Sequence, residues 1–414
     1  MYLKKPAKGL IGKTKSNKPF SRKDLKPSQL FSTSHIYNCY QRYISKPPTA
    51  PGPDGVTLDS LSAYDIEYTT RDLARSINNG TYKPGPTRKK PLRKAKGGFR
   101  TIQIPNHIDK LASIACAEGL SAVLESRFVE WSYGSRPKRS ALHIFANIQR
   151  DYRNGNHFMR HYDISKAFDV VRIRKLNQLL NSLTSVEPKA ISLAMTIVNA
   201  TNPDRLAGIN QGCPLSTLLF NFYMHELHDT YIDKQLDNGV RIYRYIDDFC
   251  VTGPSKECVD QLVDKSLELL EACNCKCAPS STVNLNEQKI ELLGLNLSGT
   301  GNTIDFSLAE ASWVKLGLGL ELAHTYPDPT AHLRAVTKGW SNAVSPITWT
   351  DKVQTRLATL LEEHGLSVLP DEYKPSNTWL RVCESLEATG SLLGPTPLLE
   401  TKPLLLNAAP AAPM

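Results

Sequence analysis

The chain has 414 residues, of which 41% are hydrophobic, and a formal net charge of +10 with pI near 9.0. That length permits two to four packed units around a sizeable core, and no apolar run approaches the ~20 residues of a membrane-spanning helix. The first residues, MYLKKPAKGLIGKTKSNK, lack the apolar stretch of a secretory leader, so a cytoplasmic setting is expected. Nine cysteines show no pairing pattern, and Cys273, Cys275 and Cys277 (CNCKC) lack the spacing of zinc-binding pairs, so they read as reduced thiols. The basic residues are clumped, from Lys4 to Lys26 and in PTRKKPLRKAKGGFR, Pro86 to Arg100. Two such groups in one basic chain imply a polyanionic partner, nucleic acid foremost.

In chain order, residues 1–27 read as a mobile basic arm, followed by a short helix near Leu30–Tyr43. KPPTAPGPDGVTLDSL, Lys46 to Leu61, is a Pro- and Gly-punctuated loop opening a helix, with Thr57 or Asp59 as its cap. Helical character over 64–79 ends at Asn79-Gly80. The second basic group then predicts a hairpin turning at Gly97-Gly98 into FRTIQIP, Phe99 to Pro105, whose cationic side chains suit a triphosphate. A helix over about Ile108–Val129 is followed by the loop SYGSRPKRSALH, Ser132 to His143, and a helix through Arg150.

HFMRHYD, His157 to Asp163, predicts a short strand that delivers Asp163 to the start of DISKAFD, where Asp169 reads as a turn or capping residue. Helices are predicted over 173–183 and 188–199. In GINQGCPLSTLLFNFYMHELHDTYI, Gln211-Gly212 falls in a loop that Gly212 leaves open to close approach, and Pro214 starts a long helix toward Tyr231. An amphipathic helix over 255–273 and a strand pair within Asn284–Gly299 precede a separate helical unit of three helices, 308–325, 329–343 and 350–364. The Pro/Ala-rich end reads as disordered.

One stretch organises the rest. IYRYIDDFCVTG, Ile242 to Gly253, is a β-prone run interrupted by Asp247-Asp248, which predicts a hairpin with the acids at its tip. Two carboxylates that close retain a proton unless a cation lies between them, and oxygen ligands favour Mg²⁺. An exposed Asp-Asp turn is the competing reading of the pair alone. Asp163, at the end of its own strand, supplies the second half of a metal site.

The order of the pieces resembles reverse transcriptases, with bacterial enzymes of the group II intron type the nearest in pattern. Phe99–Pro105, SYGSRPKRSA, Asp163–Asp169, QGCPLS, YIDD and Lys289–Gly294 follow one another as that family's motifs do. GPDGVT resembles its N-terminal extension, and AVTKGWSNAV, Ala335 to Val344, its thumb. The resemblance spans roughly residues 46 to 350. It implies an α+β right-hand polymerase fold with the fingers and part of the palm over 28–162, the palm over 163–299, a helical thumb over 300–393, and a tail over 394–414.

It also implies an RNA-directed DNA polymerase working by two-metal nucleotidyl transfer with two Mg²⁺ ions, Mn²⁺ being a possible substitute. Asp163 and Asp247 are the first-choice metal ligands, with Asp248 beside them and a backbone carbonyl from Ile164. Arg100 with Lys94 or Lys96 would contact the triphosphate of a dNTP, while Gln211 and Gly212 shape its pocket. Lys289 corresponds to the lysine proposed to protonate pyrophosphate, although the spacing from Lys289 to Leu292-Leu293-Gly294 is shorter than in intron-encoded relatives. Phe168, five residues after Asp163, takes the position of an aromatic residue that excludes a 2′-hydroxyl.

The short C-terminal part, without an endonuclease or RNase H pattern, most resembles stand-alone defence-associated or retron enzymes, which copy a dedicated structured noncoding RNA into cDNA. Two other readings stand beside it. One is an RNA-binding splicing or maturase-type factor, and the other is a protein-primed or untemplated DNA polymerase.

Overall fold

Four strands form the central sheet of the computed structural model, which describes residues 31–44, 50–95, 97–200, 204–236, 239–326, 328–367, 370–375 and 377–389. The basic arm, Lys96 and the Pro/Ala-rich end lie outside the described residues. The central sheet has the antiparallel order β4-β5-β3-β6, built from β3 (Phe158–Asp163), β4 (Arg241–Tyr245), β5 (Asp248–Gly253) and β6 (Val283–Asn284). Two smaller antiparallel sheets flank it in sequence: the hairpin β1 (Arg88–Arg93) with β2 (Phe99–Ile104), and the meander β7 (Ile290–Leu292), β8 (Leu295–Thr300) and β9 (Thr303–Leu308). With the helices this makes an α+β fold.

The N-terminal elements brace the β1–β2 hairpin. Helix α1 (Thr33–Ile44) precedes α2 (Ala63–Asn78), whose cap is Ser62 rather than Thr57 or Asp59. Ser62 Oγ accepts from Asp65 N at 3.2 Å while Asp65 Oδ2 accepts from Ser62 N at 3.2 Å. This reciprocal box satisfies two backbone donors, whereas Thr57 precedes only a single 3₁₀ turn, Leu58–Ser60, and makes no capping bond. The GPDG loop packs on the end of β2, because a Cβ on Gly52 would meet Pro105 O at 2.3 Å. Asp54 then accepts from His107 N at 2.8 Å, at the start of α3 (His107–Leu124). That helix ends five residues earlier than the pattern suggests, since Glu125–Ser132 turns back to meet the central sheet.

Helix α4 (Ala141–Arg153) packs on β4 and β5, and the 3₁₀ turn Ala167–Asp169 leads to α5 (Ile173–Asn181) and α6 (Pro188–Asn199). Pro214 opens α7 (Pro214–Met224), which continues through a π-helical turn, His225–Asp229, into α8 (Thr230–Asp233). Helix α9 (Lys256–Ala272) covers β3 and β5 with Val259, Leu262, Val263 and Leu270 buried. The helical unit comprises α10 (Glu310–Ala323), α11 (Pro329–Ala343) and α12 (Asp351–Glu363), joined through Trp313 and Trp340 with ring centroids 5.0 Å apart. Among the described residues, β6, β9 and α13 (Thr378–Thr389) are additional to the sequence reading, and α13 lies against α4. All nine cysteines are free thiols.

Candidate active site

The β4–β5 hairpin closes at Tyr245↔Asp248, leaving Ile246 and Asp247 as a two-residue tip. On its other side β5 pairs with β3, and the register sets Asp163 directly opposite Asp248. Directly opposed residues of antiparallel strands project to the same face, so both carboxylates emerge together. Ile164 N donates to Asp247 O at 3.1 Å, which draws the tip against the loop after Asp163. Three acids from two segments therefore gather at one end of the central sheet.

They are not equivalent. His161 Nε2 lies 2.9 Å from Asp248 Oδ1, so one oxygen of that carboxylate is already engaged. Asp163 is exposed, and Asp247 is half-buried. Burial first, then the charge of Asp248 and less so of Asp163, push the Asp247 carboxyl up to about 7, with Arg100 pulling the other way. The donor oxygens of the three acids do not all approach within 4.8 Å of one another. An all-oxygen donor set with surplus negative charge suits a hard divalent cation, which would supply the missing compensation. The Ile164 side chain is buried and carries no donor atom, so only its main-chain carbonyl can add a ligand.

A buried framework fixes the tip. Ile246 has φ 63°, a left-handed conformation that costs a β-branched residue on the order of 1–3 kcal/mol. Its carbonyl accepts from Arg244 Nη1 at 2.9 Å, and the same nitrogen donates to Asn221 Oδ1 at 2.8 Å. Arg244 Nε reaches both Asp229 oxygens, at 3.2 and 3.1 Å. Both side chains are 0% exposed, so this is an ion pair inside the core. Burial opposes the Asp229 charge, yet Arg244 and His228 outweigh it and hold the carboxyl at about 2. From Asp229 the contacts run on: His228 Nδ1 to Asp229 Oδ1 at 2.9 Å, His228 Nε2 to Ser266 Oγ at 2.7 Å, and Tyr162 OH to Ser266 Oγ at 2.7 Å. Tyr162 immediately precedes Asp163, so one polar chain links the supports of both acid-bearing loops. The π-helical turn makes this possible by facing His228 and Asp229 into the core together.

The SYGSR loop is the third wall. Tyr133 N donates to Arg244 O at 2.8 Å, and Asn221 Nδ2 donates to Gly134 O at 2.7 Å. A Cβ on Gly134 would lie 2.4 Å from Ile246 N, so only glycine allows this loop to lie flat against the acidic tip.

The residues assigned to the nucleotide converge from elsewhere. Arg100 on β2 is near enough to Asp247 for each to shift the other's titration. Gln103 N donates to Gln211 O at 3.2 Å, docking the Gln211-Gly212 loop onto the strand that carries Arg100. Gly212 has φ +94°, and a Cβ there would meet Ile102 Cγ2 at 2.5 Å. Phe168 stacks on Phe220 with centroids 5.3 Å apart, and its carbonyl accepts from Ile209 N at 2.9 Å. Lys94 is placed differently: it sits at the hairpin tip, facing Trp313, Glu310 and Arg356 across a cleft of about 650 Å³. Lys289 is exposed just before β7.

Residues 87–297, half of the 414-residue chain, match the family described as reverse transcriptase (RNA-dependent DNA polymerase). The chain belongs to the reverse transcriptase family. Its architecture is accordingly the right-hand polymerase fold, and divalent metal ions are the general requirement of such domains. Among its relatives, this reverse transcriptase is 30% identical over 199 residues to the group II intron-encoded protein LtrA of Lactococcus lactis, covering 46% of this chain and 32% of that protein. It is 28% identical over 202 residues to Protein YkfC of Escherichia coli, covering 45% and 52% respectively. The chain thus spans from about a third to about half of the length of these two relatives. A solved structure of telomerase from Candida albicans, in complex with a fragment of telomeric RNA, aligns with 75% of the chain and 58% of its own at TM-score 0.41 and 13% identity.

Arg244, Asp229, Asn221 and His161 escaped the sequence reading. A charged residue inside the apolar run IYRYI is the one local sign of Arg244's role.

Proposed function

We propose that this chain is an RNA-directed DNA polymerase whose acids are Asp163, Asp247 and Asp248. The observation that carries the reading is the Asp163–Asp248 register with Asp247 at the adjoining tip, facing Arg100 across to β2. Asp163 and Asp247, with Asp248 and the Ile164 carbonyl, would hold two Mg²⁺ ions, or Mn²⁺ in their place. Bound there, divalent cations activate a primer 3′-hydroxyl and neutralise charge on the departing pyrophosphate.

The remaining roles belong to side chains. Arg100 binds the triphosphate through its charge and forked geometry; Lys94, which faces the Trp313 cleft, is not assigned to it, and Lys96 lies outside the described residues. Gln211 and Gly212 form the wall that the nucleotide rests on. Phe168 fills the space a ribose 2′-hydroxyl would need and offers it no hydrogen bond. Lys289 serves as the acid that protonates pyrophosphate. In this assignment residues 28–162 are fingers with part of the palm, 163–299 the palm and 300–393 the thumb.

The template in this reading is a dedicated structured noncoding RNA, copied into cDNA in the cytoplasm as part of antiphage defence. The motif order supports the polymerase. Extension of a primer on an RNA template by the purified chain tests the activity. Wild-type product that disappears in Asp247→Asn, with the circular dichroism spectrum retained, is the expected result. Equal product from Asp247→Asn overturns the site. Sequencing the nucleic acid that co-purifies from the host tests the rest: one RNA with complementary DNA is expected, and heterogeneous RNA without it contradicts a dedicated template.

A further inference from the structure

Helices α1 and α3 meet far along the chain from the acidic tip, and three metal-ligating side chains converge between them. His35 and Cys39 lie one turn apart on α1, and Glu118 comes from α3. Cys39 Sγ is 3.5 Å from His35 Nε2 and 3.3 Å from Glu118 Oε2, and the three ligand atoms all lie within 4.8 Å of one another. Ligands bound tetrahedrally to zinc at its usual bond lengths are separated by roughly 3.3–3.8 Å. The two separations in hand therefore match the edges of a zinc tetrahedron. Among the described residues no other three His, Cys, Asp or Glu side chains meet this condition.

Burial strengthens the point. Cys39 is 0% exposed, and His35 and Glu118 are 6% exposed each. Glu118 has a partner in Arg42, whose Nε donates to Oε1 at 3.2 Å and whose Nη2 pairs with Oε2. That ion pair accounts for a buried carboxylate. It does not account for an imidazole and a carboxylate oxygen meeting on one sulfur, which Arg42 Nη2 also approaches at 3.5 Å.

We propose that His35 Nε2, Cys39 Sγ and Glu118 Oε2 bind one Zn²⁺ ion, with water in the fourth position. Sulfur, nitrogen and oxygen donors together suit zinc better than the hard cations of the acidic tip. A Zn–S bond forms as the thiol proton leaves to solvent, and the ion takes over Oε2 as Arg42 Nη2 withdraws from it. Arg42 Nε stays on Oε1 and orients the carboxylate, as partners of metal ligands commonly do. The site ties a helix outside the family-matched segment to one inside it. It depends in no way on the polymerase reading.

The test is a Co²⁺ titration of the full purified chain, followed by sulfur-to-cobalt charge transfer and tetrahedral d–d absorption, then displacement by Zn²⁺. One equivalent is expected to saturate both bands. Cys39→Ser should abolish charge transfer, and Glu118→Gln and His35→Gln should each weaken binding at least tenfold. Zn²⁺ should raise the melting temperature of the wild type and leave that of Cys39→Ser unmoved. Should Cys39→Ser fail to fold, Glu118→Gln and His35→Gln carry the comparison. Absence of the bands in the wild type overturns the proposal. So does charge transfer that survives Cys39→Ser, or wild-type affinity in both Glu118→Gln and His35→Gln. Loss of the bands in a variant lacking Cys273, Cys275 and Cys277, with Cys39 intact, would also overturn it by assigning the metal to those thiols.

Discussion

Arg244 Nη1 and the Ile246 carbonyl oxygen lie 2.9 Å apart, with no water-exposed surface on the arginine side chain. A left-handed isoleucine next to Asp247 is thus held by a charge whose own partner, Asp229, sits on the π-helical turn. Removing one member of a buried ion pair strands the other, at a cost of about 3–5 kcal/mol. Arg244→Ala and Asp229→Ala should each lose that much stability in urea unfolding. The double variant should lose less than the sum, which a double-mutant cycle will show. Where Arg244→Lys still folds, it should lose primer extension more than thermal stability, because one ammonium cannot serve Asp229, Asn221 and Ile246 together.

Two shifted groups make the fold sensitive to acid. Asp229 is held at about 2, below its ordinary 3.8, so its contribution is complete above pH 3.8 and is lost as pH falls through 2. His143 is pushed down to about 4 from 6.5 by burial and then by Arg139, so its neutral form favours the fold above pH 6.5 and that contribution is lost as pH falls through 4. Melting temperature should therefore lose the His143 contribution between pH 6.5 and 4 and the Asp229 contribution below pH 4, while Asp247, raised to about 7, adds an opposing gain as pH falls through 7. His143→Gln, which can still accept from Ser140 N, should flatten the first step and leave the second.

Phe168 presents one face to Phe220 and is only partly buried. Truncation to alanine should open the sugar pocket more than it harms the core. Phe168→Ala is expected to lower discrimination against rNTPs by about 10- to 100-fold, measured as the ratio of kcat/KM values. Unchanged preference would place the sugar gate on another residue.

Gly212→Ala brings two penalties, a φ of +94° and a Cβ 2.5 Å from Ile102 Cγ2. The loop must lift from β2, so KM for dNTP should rise about tenfold or more with little change in melting temperature. Adding Ile102→Ala removes the clash and leaves the backbone strain, so recovery should be partial.

Much of this was legible in the sequence because it is local. The β-prone run around Asp247-Asp248, the strand ending at Asp163 and Pro214 at a helix start each declare themselves within a dozen residues. The supports do not. Arg244 reads as an ordinary strand residue until Asp229, fifteen residues earlier, is turned inward by a π-helical turn for which the pattern gives no sign. Thr57 and Asp59 are capping residue types ahead of the helix, but the sequence reading passes over Ser62 although Asp65, three residues on, completes its box. The resemblance pairs Lys94 with Arg100, yet Lys94 lines the cleft with Trp313 while Arg100 lies near Asp247.

Among the described residues, the β1–β2 hairpin consists of two strands with no third to complete a sheet. Such ribbons are marginal on their own in water. This one leans on the Gln211 loop through Gln103 N, and that loop in turn rests on Ile102. The Gly52 loop braces the base of the hairpin and the Phe168 carbonyl holds Ile209 N ahead of the Gln211 loop, and between those anchors the two segments hold each other. Detachment of one is detachment of the other, so amide exchange across Arg100–Gln103 and across Gln211–Gly212 should follow a single opening rate, slowed in both by one bound nucleotide.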